Sequence, residues 1–107
     1  MKLPKTIAIA GRRVRLVTMP LDTDELYGEY HHDLKRIQVA RGLDDRTLLI
    51  TIRHEVMEAS LLLSGVGFLE SYQQEAVVRC MEEIFFPAWK LFLFRLNKLN
   101  KTQYDGN

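Results

Sequence analysis

Asp44 to Gly65 reads DDRTLLITIRHEVMEASLLLSG, and the fold turns on the period that its apolar residues keep. Leu48, Leu49, Ile52, Val56, Ala59, Leu62 and Leu63 recur at the spacing of one helical face. Asp44 or Asp45 can cap the start, because a carboxylate accepts from the N–H groups that the first turn leaves without partners. Gly65 and Gly67 end the helix.

Upstream the period is two. Thr6 to Ala10 and Val14 to Thr18 are β-branched runs separated by Gly11-Arg12-Arg13, which predicts a hairpin with Ile7, Ile9, Val14 and Leu16 facing inward. Tyr27 to Tyr30 and Leu34 to Ala40 flank a His31-His32-Asp33 turn, a second hairpin with Ile37 and Val39 on its inner face. Downstream, Ser71 and Gln74 have the spacing of a capping box. Ala76, Val77, Cys80, Met81, Ile84 and Phe85 continue as a helical face to Pro87, where a kink or division is expected before Trp89 to Leu99. The expected fold is therefore α+β: a small antiparallel sheet of two hairpins, a helix, and a long return helix kinked at a proline.

The chain has 107 residues, 47% hydrophobic and 27% charged, which suits one globular domain; residues 1–99 are read as that domain and 100–107 as a polar tail. Fifteen Lys and Arg against 14 Asp and Glu leave a net charge of +1, so no global field draws nucleic acid or an anionic membrane. A single cysteine, Cys80, and no signal-like N-terminus point to a cytoplasmic setting. Ile84 to Leu96, broken by Pro87, Lys90 and Arg95, falls short of the roughly 20 apolar residues that span a bilayer.

His54 and Glu58 stand four residues apart on the central helix, so their side chains stack on one face and can grip one ion. Imidazole and carboxylate are both zinc ligands, and Glu55, beside the first of them, stands where a metal-assisted hydrolase keeps its general base. Metal-bound water ionises at roughly pH 7 instead of 15.7, which makes it a nucleophile under mild conditions. A third ligand is sought among the acids leading into the return helix: Glu75 first, since the positive end of the helix favours its carboxylate, and Glu70 second.

The order hairpin, Tyr27-Gly28, strand, Thr51-Ile52-Arg53-His54-Glu55, return helix resembles the small phage-type relatives of the ImmA/IrrE-like zinc metallopeptidases over roughly residues 6 to 87. In that family the helix reads Thr-Leu-x-His-Glu-x-x-His-Ala, and the next helix brings a glutamate at a Glu-Ala step and ends on an apolar pair and proline. Ala59, Glu75-Ala76 and Phe85-Phe86-Pro87 match those positions. The resemblance implies a minimal gluzincin-like fold, with His54 and Glu75 as metal ligands, Glu55 as base, and a protein substrate in the bacterial host cytoplasm. Glu58 stands where the family has its second histidine, an HExxE variant of HExxH. A carboxylate there hardens the site and brings manganese or magnesium into range beside zinc.

Competing readings attach to the same residues. Glu58 and Glu75 can serve as partners of Arg53 on a solvated face, in a peptidase-like scaffold that binds a protein without hydrolysing it. Phe85, Phe86, Trp89, Phe92 and Phe94 can wrap the core or offer a homodimer or partner surface. His31 and His32 read as turn residues and Cys80 as a small core hydrophobe. Arg12, Arg13, Arg15, Lys35 and Arg36 can touch phosphates, with an affinity that falls steeply with salt, although the near-neutral net charge argues against nucleic acid.

Overall fold

A computed structural model describes residues 1–22, 27–68 and 73–105. The α+β architecture is present. Strands β1 (Thr6–Ile9), β2 (Arg12–Met19), β3 (Gly28–His31) and β4 (Arg36–Ala40) precede helix α1 (Asp45–Leu63), and α2 (Gln74–Cys80) runs through a π turn (Met81–Phe85) into α3 (Phe86–Asp105). Among the described residues no helix is long and apolar enough to cross a membrane.

Both hairpins form. Ala10 (φ 51°) and Gly11 (φ 73°) make the first turn, since a two-residue loop that matches strand twist needs positive φ at both positions. The second turn occupies 32–35, where Lys35 (φ 49°) donates its N–H to the His32 carbonyl at 3.2 Å. The sheet differs from the expected antiparallel one in how the hairpins join: its order is β1-β2-β4-β3, and β2 runs parallel to β4. Composition accounts for the order. β4 carries Ile37 and Val39, both fully buried, and gains most from an interior position, whereas β3, with Gly28, Glu29 and His31, tolerates an edge.

The helices cover one face of the sheet. Ile7, Ile9, Val14, Leu16, Ile37 and Val39 meet Ile52, Val56 and Ala59 of α1 and Phe85 and Phe92 of the return helix in one core. Asp44, not Asp45, caps α1: its Oδ1 accepts the Thr47 N–H at 2.7 Å, and that bond holds the carboxyl below its ordinary range. Gly65 (φ 85°) closes the C-terminal end. The expected capping box lies partly outside the described residues, because Ser71 is not among them.

The irregularity expected at Pro87 takes the form of the π turn. Pro87 has no N–H to donate, and ahead of it the ladder widens so that the Phe86 N–H reaches the Met81 carbonyl five residues back. Pro87 then sits in the first turn of α3, where a missing donor costs least. The helix continues past Asn100, whose amide donates to the Lys2 carbonyl at 3.0 Å and accepts the Lys2 N–H at 2.9 Å, so part of the expected tail belongs to the fold. The aromatic segment divides: Phe85 and Phe92 are buried and Trp89 stacks on both, while Phe86 and Phe94 are more than half exposed. Cys80 is buried against the Ser60 carbonyl, as a core cysteine should be.

A candidate metal centre at the edge of the sheet

α1 crosses beneath β3 at Gly28. A Cβ on Gly28 would lie 2.6 Å from Thr51 Cγ2, 3.1 Å from the Gln38 carbonyl oxygen and 3.4 Å from Glu55 Cγ, so only glycine lets the helix come this near. The approach leaves an open groove of about 390 Å³ between helix and strand, lined by Tyr27, Gly28 and Glu29 on one side and Ile50, Thr51, His54, Glu55 and Glu58 on the other. Ala40 donates to the Tyr27 carbonyl at 2.7 Å, and Glu29 and His31 are in register with Gln38 and Arg36. Alternation along an antiparallel ladder therefore turns the main-chain groups of Gly28 and Tyr30 away from β4, towards the groove.

Each acid of the cluster has a distinct setting. His54 and Glu58 lie on the outer face of α1, with Nε2 and Oε1 3.2 Å apart and both side chains more than half exposed. Glu55 is buried at the groove floor. Burial, then a hydrogen bond with Glu58, then the charges of Glu58 and Glu29 push its carboxyl up to about 8, against a pull downward from the Tyr30 N–H that it accepts. Near neutral pH Glu55 thus keeps its proton beside the Glu58 carboxylate. His54, Glu55 and Glu58 each offer a ligand atom, and these lie within 4.8 Å of one another. That donor set, one imidazole and two carboxylates, fits a divalent cation.

The other residues singled out in the sequence stand elsewhere. Glu75 is exposed in the first turn of α2 and is not part of this group. Glu70 lies outside the described residues. Arg53 forms no ion pair among the described residues. His31 pairs with Glu29 at 3.2 Å, and His32 Nδ1 lies 3.0 Å from the Tyr30 hydroxyl, so both are engaged at the hairpin. Sequence reasoning did not find the roles of Glu29 and the Tyr30 main chain. Gly28 was their signal, since a glycine inside a strand marks a close approach of another part of the chain.

No family model, curated protein or solved structure matches the chain.

Proposed function

We propose that this protein is a metal-dependent, peptidase-like protein that receives an extended peptide along β3. The observation that carries the reading is the convergence of His54, Glu55 and Glu58 ligand atoms within 4.8 Å along a groove walled by the edge strand β3. His54 and Glu58 would hold the ion, zinc or a harder divalent metal, which when bound would supply an acidified water and a polarised carbonyl. Glu55 accepts the proton at its carboxylate, and the Tyr30 N–H keeps that carboxylate oriented. The Gly28 main chain pairs with the peptide as one more strand, so affinity comes from backbone bonds and selectivity from the neighbouring side chains. The likeness to ImmA/IrrE-like peptidases in Thr51 to Ala59 agrees with this reading, and buried free Cys80 suits a reducing cytoplasm.

One observation favours a second reading. Hydrolysis needs three protein ligands and a separate base, and Glu75 stands apart from the cluster. If Glu55 serves as the third ligand, no base remains, and the groove captures a protein segment without cleaving it.

Elemental analysis of untagged protein, with His54→Ala beside it, tests the metal. About one equivalent in the wild type and none in the variant is expected. Wild-type protein that neither carries nor gains a divalent ion on titration would overturn the proposal. With metal established, cleavage of a peptide library by wild type and not by Glu55→Gln separates peptidase from capture module.

A further inference from the structure

The near-neutral charge of the chain conceals a segregation that the strand register reveals. On the sheet face opposite the helices, Arg13 and Arg15 of β2 lie two residues apart, about 6.8 Å along the strand. Arg15 is the Cα partner of Thr6 on one side and of Arg36 on the other, and Arg36 is the partner of His31, so one row of side chains crosses all four strands. At the β1 edge Arg95 reaches out from α3 and donates to the Thr6 carbonyl at 3.2 Å. There it lines a concavity of about 480 Å³ with Arg12, Arg13, Thr6, Ala8 and Gly11, and no acidic residue takes part.

None of Arg12, Arg13, Arg15, Arg36 and Arg95 has a carboxylate within ion-pair distance among the described residues. Among the residues of the four strands the acid on this face is Glu29, which His31 holds. Like charges placed directly opposite on neighbouring strands repel and weaken the pairing, and Arg15 with Arg36 is such a pair. A bound anion relieves that repulsion, and the row is longer than one anion needs. Apart from the His31 imidazole, which is held by Glu29, its outward strand positions carry no aromatic ring on which a base can stack, so it suits a phosphodiester backbone rather than unpaired bases.

We propose that this arginine-bearing sheet face binds the phosphate backbone of double-stranded nucleic acid, with Arg13, Arg15, Arg36 and Arg95 each contacting a phosphate. The face lies across the sheet from the His54 groove and does not depend on a metal there. Contacts to the backbone alone give binding without sequence preference and with a marked salt dependence.

The test is fluorescence anisotropy of a labelled duplex of arbitrary sequence, titrated with the full chain at salt from about 25 to 200 mM. About four neutralised phosphates give a slope of log affinity on log salt of roughly −3 to −4. The Arg15→Gln/Arg36→Gln double variant should lower the magnitude of that slope by about 2 and weaken binding at least about tenfold at low salt. Lys90→Gln, an exposed cation on α3, should change neither by as much. Arg13→Gln alone provides a second reading, about one unit of slope, should the double variant melt early. Absence of saturable binding at the lowest salt, or a slope that the arginine variants leave unchanged, would overturn the proposal. Tighter binding of a polyglutamate peptide than of the duplex would also overturn it, by identifying an acidic protein as the partner.

Discussion

Gly28 of β3 and Thr51 of α1 meet closely, with 2.6 Å between Thr51 Cγ2 and the position a Cβ on Gly28 would take. The contact fixes how near His54, Glu55 and Glu58 come to the strand edge, so it governs both stability and site geometry. Gly28→Ala forces α1 away or twists Thr51 off its rotamer, and overpacking of this kind costs about 1–3 kcal/mol. Urea denaturation should show that loss. Thr51→Ser keeps the hydroxyl that donates to the Thr47 carbonyl and removes Cγ2, so the double variant should recover part of it. Additive losses in the double variant would mean that the two residues do not meet as described.

The same contact illustrates what the sequence could disclose. Alternation in Ile7, Ile9, Val14 and Leu16 and the helical period from Leu48 to Leu63 made the hairpin and α1 legible, because burial of one face leaves a local signature. The parallel joining of β2 to β4 was not legible. It depends on which hairpin edge meets which, a non-local choice that neither turn records. In the candidate site, the grouping of His54, Glu55 and Glu58 was legible since one helical turn brings them together, whereas Glu75 was assigned from its place near a helix start, which by itself fixes no distance to His54.

The core makes a simpler prediction. Phe92 is 1% exposed, stacks on Trp89 and fills the space between α3 and the sheet. Phe92→Ala should cost about 3–5 kcal/mol, whereas Phe94→Ala, at a side chain 57% exposed, should change stability by less than about 0.5 kcal/mol beyond the loss of its contact with Lys98. Chemical denaturation of the two variants side by side checks the difference. Equal losses would place Phe94 in a buried interface and so reveal self-association.

Metal affinity separates the acids. Removing a ligand should weaken binding by about 100-fold or more, since even partners outside the ligand shell are worth about 10- to 100-fold. His54→Ala and Glu58→Gln are expected to show that loss by competition with a chromophoric chelator. Glu75→Gln, exposed on α2 and outside the cluster, should bind as the wild type does. A large loss in Glu75→Gln would show that α2 swings its carboxylate onto the ion.

The proton that Glu55 keeps makes stability depend on pH in a direction opposite to that of an ordinary salt-bridged acid. Glu55 in the folded, metal-free chain titrates at about 8, raised first by burial and then by Glu58 and Glu29, against 4.5 for a free glutamate. Between those values the folded state holds a proton that the unfolded state releases. The Glu55 contribution is therefore fully present below about pH 4.5 and is lost as pH rises through about 8. Thermal melts of chelator-treated protein should fall in Tm from about pH 5 to about pH 8, and Glu55→Gln, neutral at every pH, should flatten the profile and melt above the wild type at the alkaline end. An ion that needs Glu55 ionised has to displace the same proton, so apparent affinity should rise with pH, by up to about tenfold per unit, and level off above about pH 8. Saturating metal should then cancel the alkaline loss of Tm in the wild type. A wild-type profile as flat as that of Glu55→Gln would sink the assignment, because a carboxyl exposed to water would titrate alike in the folded and unfolded chains.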